Sequence, residues 1–383
     1  MAGYGRGVRT AETLARILPL ARAIGVTRLA DVTGLDRIGI PVFQAVRPLA
    51  RSLSVSQGKG LTANAARVSA LMEAIELHCA ESLAPAGQGR ATIDEATFWA
   101  RIPKAFEQEA MFDPLGARGW CAAVDLLSGA AMRVPHGLVS MDCTVQRPAD
   151  LWPNTNGLAA GNDAVEAQVS ALCEAVERDA QARWMAARPR ARRATAIDPA
   201  TIGDRAGRWL LARVARAGLR CALWDMSAAH GIATIGCAIV DPAPAATLAL
   251  PPAFGAGCHP RAPIALARAI TEAAQTRSAL IAGARDDLSP ADYADPGGQR
   301  AALTFAMHDF GGGPMRAFAD VPDCRLTLPA ARERLLAICE AAGAGRVPCV
   351  DLSPAGANIA VVRVVVPGFG DHDRPSALPA FAA

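Results

Sequence analysis

The chain has 383 residues, of which 51% are hydrophobic and 20% charged, and its formal net charge is +3. This length allows one large domain or two average ones, with a substantial buried core. The small charge argues against a nucleic-acid-binding protein, and no apolar run is long enough for a membrane span, so neither partner is expected. Ten scattered cysteines without a CxxC pair are typical of a reducing compartment, which predicts a cytoplasmic protein.

One helical pattern occurs more than once along the chain. Residues 68–76 read VSALMEAIE, residues 169–177 read VSALCEAVE, and a weaker third copy occupies residues 264–277. Each copy follows a glycine-containing segment, and these segments are residues 58–60, 156–162 and 255–260. Strand-like or turn-rich stretches precede the second and third segments. We therefore predict an α/β (α+β) fold in which a unit of strand, glycine loop and helix occurs three times.

The first two copies place a pair of carboxylates on one helix face. At about 100° per residue, Ser69, Glu73 and Glu76 lie within about 60° of one another, beside an apolar stripe. The second copy repeats this arrangement with Glu174 and Glu177. Neighbouring half-buried carboxylates repel each other and lose hydration energy unless a cation compensates them. The pattern therefore indicates a cation site between the helices.

Five glutamates are candidate ligands of Mg²⁺, and they are Glu73, Glu76, Glu174, Glu177 and Glu272. Hard oxygen ligands that leave positions for water and phosphate oxygens suit this ion, and more than one ion is compatible with five carboxylates. The alternative is that ExxE is a common pattern on exposed helix surfaces. Two copies with the same upstream serine, each after a glycine segment, favour the metal site.

Three basic residues complete a candidate nucleotide site. Arg178 directly follows Glu177, and Arg268 lies one helical turn before Glu272. Guanidinium groups suit bidentate phosphate contacts, although Arg268 and Glu272 could instead form an ion pair with each other. Lys59, in the first glycine segment, fits a phosphate contact or an ordinary turn lysine equally well. The glycine loops are expected to present backbone N–H groups to an anion at the helix starts.

The sequence contains no GxxxxGK[ST], GxSxG or HExxH motif and no GxGxxG at the start of a βαβ unit. Four of its segments instead resemble the YcaO family, and these are residues 58–76, 154–180, 255–287 and 361–368. They occur in the expected order and cover most of the chain. The resemblance implies a YcaO-type fold with a catalytic domain over residues 51–383, on which an N-terminal segment of residues 1–50 packs.

The resemblance also implies that ATP is bound without a P-loop and that glutamates of the ExxE helices hold Mg²⁺. It assigns nucleotide or metal contacts to Ser69, Glu73, Glu76, Asn162, Glu174, Glu177, Arg178, Arg268 and Glu272. Together with Lys59, these are the candidate site residues. One departure is Leu77, because several family members carry arginine directly after the first ExxE pair. This leaves more of the phosphate contacts to Arg178 and Arg268.

The reaction that the resemblance implies is the phosphorylation of a peptide backbone amide oxygen by ATP, followed by attack of a nucleophile and loss of phosphate. A neighbouring Cys, Ser or Thr side chain gives an azoline, as in ribosomal peptide natural products. External sulfide gives a thioamide, usually with a TfuA-type partner. The expected partners are therefore a peptide or protein substrate and a TfuA-like protein, and a homodimer is left open.

Two features of the chain favour thioamide over azoline formation. There is no room for a leader-binding domain ahead of residue 50, and the tail carries only Pro375 and Pro379 instead of a PxPxP ending. Two rival functions are a di-magnesium phosphohydrolase that uses the same carboxylates and a non-catalytic scaffold that binds a peptide or a partner. The intact ExxE pairs argue against the scaffold, because a decayed site is expected to lose some of its carboxylates.

Overall fold

The structure is a computed structural model that describes residues 7–99, 118–145, 154–242, 250–286 and 314–369. The tail with Pro375 and Pro379 lies outside these residues. The helices are α1 (Thr10–Ala23), α2 (Ala63–Glu81), α3 (Ile93–Trp99), α4 (Ala164–Ala186), α5 (Pro189–Arg193), α6 (Arg205–Arg216), α7 (Ala262–Ala282) and α8 (Leu328–Ala341). None of the helices in these ranges is long and apolar enough to cross a membrane.

The strands form three sheets in which neighbouring strands are antiparallel. The strands are β1 (Arg28–Asp31), β2 (Val42–Val46), β3 (Val55–Lys59), β4 (Gly87–Gly89), β5 (Arg118–Asp125), β6 (Ala131–Pro135), β7 (Leu158–Gly161), β8 (Arg220–Asp225), β9 (Thr234–Val240), β10 (Ala253–Cys258), β11 (Pro348–Asp351) and β12 (Ala360–Val364). Their orders are β1-β2-β3, β8-β9-β10 and β4-β5-β11-β12-β7, with β6 beside β5. Each sheet therefore ends in a strand that leads into a repeated helix: β3, β7 or β10.

The three repeated helices pack in a ring. Helix α2 packs on β3 and β7, α4 on β7 and β10, and α7 on β10 and β3. Each helix thus covers the end strand of its own repeat and the end strand of another repeat. The predicted mixed α/β fold with strand and helix repeats is confirmed, and the ring brings the three helices to a common centre.

Most of the repeat glycines, among them Gly58 and Gly257, lie within the end strands, and this corrects the prediction of glycine loops at those positions. A Cβ atom on Gly58 of β3 would lie 2.0 Å from the Ala70 backbone nitrogen of α2. A Cβ atom on Gly257 of β10 would lie 2.2 Å from the Ala265 carbonyl oxygen of α7. The glycines recur in the sequence because helix and strand approach each other so closely that only glycine leaves enough room.

The starts of α2 and α4 are closed by their own capping side chains. The Thr62 side chain accepts a hydrogen bond from Ala65 N at 3.2 Å, and the Asp163 side chain accepts one from Glu166 N at 2.9 Å. These caps occupy backbone donors of the first helical turn. The expectation that the helix starts present such groups to an anion is therefore wrong for these donors.

A separate hydrophobic cluster surrounds each repeated helix. Leu71 and Ile75 of α2 lie in the first cluster, Leu172 of α4 in the second, and Leu266 and Ile270 of α7 in the third, each with at most 1% of its surface exposed. Burial of such side chains is the main source of stability in a fold of this kind. Each helix is held by its own core, so its polar face is left to point toward the centre of the ring.

The residues before position 50 complete the first repeat. Strands β1 and β2 form one sheet with β3, and α1 packs against α2. The buried Arg277 of α7 forms an ion pair with Asp36, which ties the third repeat to the same segment. The division into residues 1–50 and 51–383 stays a prediction.

Candidate nucleotide and metal site

The structure brings carboxylates of α2, α4 and α7 close enough to alter one another's ionisation. Burial raises the pKa of Glu73, Glu174 and Glu177, and neighbouring carboxylates raise it further: the charge of Glu272 acts on Glu177 and Glu73, and the charge of Glu177 acts on Glu174. Like charges act in this way only when they are near each other in a poorly hydrated region. We call Glu73, Glu76, Glu174, Glu177 and Glu272 the glutamate cluster.

Backbone N–H groups of the end strands bind this cluster. Ala160 N of β7 donates to Glu76 Oε1 at 2.5 Å, and Cys258 N of β10 donates to Glu177 Oε2 at 2.8 Å. Glu76 and Glu177 occupy the same position in their repeats, and each binds the strand of the following repeat. An end strand has unpaired N–H groups along its outer edge. Here the carboxylates of Glu76 and Glu177 accept hydrogen bonds from such edge N–H groups, in place of a further strand.

The third link in the ring is an ion pair. Lys59 at the end of β3 donates from Nζ to Glu272 Oε2 at 2.6 Å, so the helix of the third repeat is joined to the strand of the first. Gln57 N, on the same strand, lies 3.4 Å from Glu73 Oε1. Glu272 therefore forms its ion pair with Lys59 in this structure, and Lys59 lies inside the cluster.

Three arginines surround the other half of the cluster. Arg178, Arg268 and Arg363 each lower the pKa of Glu174 by stabilising its charged form. Burial lowers the pKa of Arg268, but Glu177 and Glu272 outweigh that effect, and its pKa is raised overall. Among the residues that the structure describes, none accepts a hydrogen bond from the buried Nε of Arg268. This donor suits a phosphate oxygen, and the carboxylate oxygens suit Mg²⁺, so the site fits both groups.

Burial dominates the ionisation of the glutamates. It raises the pKa of Glu73 and Glu177, and it raises the pKa of Glu174 to about 7. Glu272 shows the opposite result, because Lys59 and Arg178 together outweigh burial and lower its pKa. The positive charges near Glu73, Glu174 and Glu177 therefore do not offset the effect of burial on their ionisation.

Within the described ranges, no three His, Cys, Asp or Glu side chains are arranged as a ready metal-binding group. Glu76 and Glu177 bind backbone N–H groups, and Glu272 binds Lys59, as described above. The assignment of these glutamates to Mg²⁺ thus stays a prediction. It rests on their oxygen donors, their burial and their convergence from three helices.

Replacing Glu174 by glutamine is expected to stabilise the Mg²⁺-free protein at pH 8 and to leave its stability unchanged near pH 4.5. Because the folded-state pKa of about 7 exceeds the ordinary 4.5, folding favours the protonated carboxyl, and this stability is lost as pH rises through 7. The shift corresponds to at most about 3 kcal/mol. Thermal unfolding in EDTA across this pH range, with Glu340→Gln as a surface control, measures the difference. Equal melting temperatures of wild type and Glu174→Gln at pH 8 would contradict it.

Asn162 lines a cleft at the start of α4. Its Nδ2 donates to both carboxylate oxygens of Glu166 at 3.1 Å, and its Oδ1 accepts from Thr13 Oγ1 of α1 at 2.8 Å. The cleft has a volume of about 480 Å³ and is lined by Arg16, Asn162, Asp163, Ala357, Asn358, Ile359 and Ala360. The contact between Asn162 and Glu166 is not predicted in the sequence analysis. The available signal is the spacing of four residues between this Asn and this Glu, ahead of the second ExxE pair.

Two further arginines were missed as site residues. Arg363 is a buried residue of β12 that donates to the carbonyl oxygen and to Oδ1 of Asn154, each at 2.8 Å. In the sequence, Arg363 is a single charged residue inside an apolar stretch. Such a residue in a predicted strand is a signal for a buried polar contact. The charge of Arg285, which follows α7, lowers the pKa of Glu73 more than the charge of Lys59 does, although burial outweighs both. Ser69 lies one helical turn before Glu73 on α2 and is partly exposed.

Comparison with known proteins gives matches along nearly the whole chain. Residues 57–370 match the family described as YcaO cyclodehydratase, ATP- and Mg²⁺-binding. A protein named for its place in the tfuA 3′ region of Rhizobium leguminosarum bv. trifolii is 37% identical in an alignment of 379 positions that covers 95% of this chain and 88% of the relative. A second relative, from Methanothermobacter thermautotrophicus, is 32% identical over 95% of both chains.

Solved structures share the fold. YcaO from Methanopyrus kandleri, bound with AMPPCP and Mg²⁺, superposes with a TM-score of 0.74 at 25% identity, covering 98% of this chain and 95% of its own. A heterocyclase in complex with substrate and cofactor gives a TM-score of 0.77 at 21% identity, over 95% of this chain and 53% of the heterocyclase. The repeated ExxE helices, their ring arrangement and these matches agree, and the chain belongs to the YcaO family of ATP- and Mg²⁺-binding proteins.

Proposed function

We propose that this protein uses ATP and Mg²⁺ to activate a backbone amide of a peptide or protein, and that the product is a thioamide formed with a TfuA-like partner. The observation that carries the proposal is the convergence of glutamates and arginines from three helices in a poorly hydrated region. The Methanopyrus kandleri relative, bound with AMPPCP and Mg²⁺, supports the choice of cofactors. The Rhizobium relative, named for the tfuA 3′ region, supports the choice of partner.

The residues proposed to hold the cofactors come from all three repeats. Mg²⁺ would be held by Glu73, Glu76, Glu174, Glu177 and Glu272, and the nucleotide by Ser69, Glu73, Asn162, Arg178, Arg268 and Lys59. Carboxylate oxygens are the ligands that Mg²⁺ prefers, and guanidinium groups match phosphate oxygens. When bound, ATP with Mg²⁺ supplies the phosphoryl group and the charge neutralisation that the activation of an amide oxygen requires.

The contribution of the protein itself is positioning and electrostatics. Arg178 and Arg268 are placed beside the glutamate cluster in a poorly hydrated region, where their charges stabilise developing negative charge more strongly than in water. Glu177 is held by Cys258 N and Glu76 by Ala160 N, so both carboxylates have a fixed orientation. A site that is oriented before binding loses little energy to reorganisation during the reaction.

Azoline formation is the second candidate, and the description of the family as a cyclodehydratase favours it. The two reactions share amide activation and differ in the nucleophile that follows. An internal Cys, Ser or Thr side chain expels the amide oxygen and closes a ring, whereas external sulfide replaces the oxygen by sulfur. Azoline formation therefore lowers the mass of the substrate, whereas thioamide formation raises it.

A deletion strain of the source organism tests the proposal when it is complemented with the wild-type gene or with Glu177→Gln. We expect wild-type cells to contain a peptide or protein whose mass reports the exchange of one oxygen for sulfur, and this product to be absent with Glu177→Gln. If that organism carries a tfuA-like gene, its deletion is expected to remove the product as well. A product that has lost the mass of water would instead support azoline formation. No difference between the complemented strains in either product would overturn amide activation.

A further inference from the structure

Helix α6 carries several arginines and no acidic residue. Residues 205–220, which comprise α6, the turn after it and the first residue of β8, contain five arginines and no Asp or Glu. Like charges three or four positions apart destabilise a helix, yet Arg205 and Arg208 have this spacing, as do Arg213 and Arg216. The charge of Arg205 in the first turn also opposes the helix dipole. This charge pattern is therefore unfavourable to the helix itself.

The apolar side of α6 is used for packing. Leu210 and Val214 have at most 1% of their surface exposed, and they lie in the same hydrophobic cluster as Leu266 of α7. A Cβ atom on Gly207 would lie 2.8 Å from Leu266 Cδ2, so the two helices touch there. At about 100° per residue, Leu266 lies on the opposite side of α7 from Arg268. Helix α6 therefore packs on the side of α7 that faces away from the glutamate cluster.

Three arginines form the opposite, exposed side of α6, and we call Arg205, Arg208 and Arg216 the arginine face. They lie within about 80° of one another around the helix. In the part of the chain that the structure describes, none of the three forms an ion pair with a carboxylate. Asp204, the nearest acidic residue in the sequence, is the N-cap and accepts a hydrogen bond from Gly207 N at 2.8 Å. The arginine face therefore presents accessible positive charge.

An aromatic ring lies beside the arginine face. Trp209 is half-buried, and the guanidinium carbon of Arg213 lies 5.0 Å from the centre of its ring, a contact that holds both side chains in place. Trp and Arg are among the residues that contribute most to binding at protein interfaces. A fixed ring next to three cations offers a partner an apolar contact as well as charge, which a face that only keeps the protein in solution does not need.

The surroundings of the arginine face favour an acidic peptide segment as its partner. Leu210 and Val214 are buried against α7, so the helix has no apolar side that can insert into a membrane. The net charge of +3 on the whole chain gives little long-range attraction to nucleic acid. A peptide substrate, by contrast, has many chemically similar backbone amides, so its selection requires contacts outside the reacting group.

We propose that the arginine face of α6 binds an acidic segment of the peptide or protein substrate and so selects the substrate at a distance from the reacting amide. This inference rests on the proposed function, in which a peptide is the substrate. Guanidinium–carboxylate pairs supply the attraction, and Trp209 supplies an apolar contact. The rise from Arg205 to Arg216 is about 17 Å, which matches about five residues of an extended chain.

Fluorescence anisotropy with a labelled decaglutamate peptide tests the surface. We expect wild type to bind this peptide and the triple variant Arg205→Gln/Arg208→Gln/Arg216→Gln to bind it at least about tenfold more weakly. Glutamine is a good helix former, so the helix is expected to persist in this variant. An increase in salt concentration is expected to weaken binding by wild type more than binding by the variant, because exposed charges are screened.

A second triple variant with the same net charge is the matched control. Arg22→Gln/Arg90→Gln/Arg325→Gln removes three exposed arginines outside α6, and it should bind decaglutamate within about threefold of wild type. Equal losses in both triple variants would overturn the inference, since net charge alone would then explain the binding. Absence of binding by wild type would overturn it as well. Tighter binding of double-stranded DNA, or of vesicles that contain phosphatidylserine, through the arginine face would overturn the choice of partner.

Two further measurements separate this inference from the proposed function. The α6 triple variant should bind AMPPCP with Mg²⁺ as wild type does, while its complemented strain should contain about tenfold less product. An undiminished amount of product in that strain would overturn the role in substrate selection. If the wild-type gene also yields no product, but decaglutamate binding depends on the arginine face, the proposed function fails and the acidic-peptide site remains.

Discussion

Replacing Glu177 by glutamine is expected to weaken the binding of AMPPCP with Mg²⁺ by about tenfold or more, equal to about 1.4 kcal/mol, and to reduce turnover at least about a hundredfold. Glu177 is the most buried residue of the glutamate cluster, with 2% of its surface exposed. Its charge acts on Glu174 of its own helix and on Arg268 of α7. Loss of that charge would remove a proposed metal ligand and would take away the carboxylate that most stabilises the charged form of Arg268.

The fold is expected to survive this change, because a glutamine side-chain oxygen can still accept the hydrogen bond from Cys258 N. Calorimetry measures nucleotide affinity, and the complementation assay described above measures the loss of product. Glu340→Gln on the exposed surface of α8 is the control and should behave like wild type. Unchanged affinity in Glu177→Gln, at an unchanged melting temperature, would show that α4 does not hold the metal and nucleotide.

Replacing Gly58 by alanine is expected to lower the free energy of unfolding by about 3 kcal/mol or more. The added Cβ atom would lie 2.0 Å from Ala70 N and 2.2 Å from Ala66 O, so α2 and β3 must move apart. Both obstacles are backbone atoms, which cannot change rotamer to make room. Chemical denaturation of the purified protein measures the loss.

Gly34→Ala is the matched control for this destabilisation, because no atom lies within 4 Å of the Cβ position there. That variant should change stability by less than about 0.5 kcal/mol. A similar denaturation midpoint for both alanine variants would mean that α2 and β3 are less closely packed than the structure describes.

The ExxE helices could be predicted from the sequence because their information is local. Glu73 and Glu76 share a helix face with an apolar stripe next to it, and the same spacing recurs at Glu174 and Glu177. The extent of α2 and α4 follows from the same periodicity and from the capping residues Thr62 and Asp163. These features depend on the order of residues within about 20 positions, which a single sequence displays.

The contacts between repeats could not be predicted in this way. In the sequence, a glycine before a helix looks the same whether it forms a loop or allows a strand to approach the helix closely, so the pattern wrongly predicts loops at Gly58 and Gly257. The charges of Arg285 and Arg363 act on Glu73 and Glu174 only once distant segments of the chain have packed together, and neither arginine forms part of a repeated motif. Their roles follow from the packing of distant segments, for which one sequence carries no local signal.

The ring arrangement has a consequence for fragments of this protein. Each link between a helix and an end strand crosses from one repeat to another: Glu76 to Ala160, Glu177 to Cys258 and Glu272 to Lys59. A segment that contained one or two repeats would therefore lack at least one link and would leave polar edge groups without partners in a buried region. If ATP and Mg²⁺ bind at the proposed site, their affinity is therefore expected to require all three repeats together.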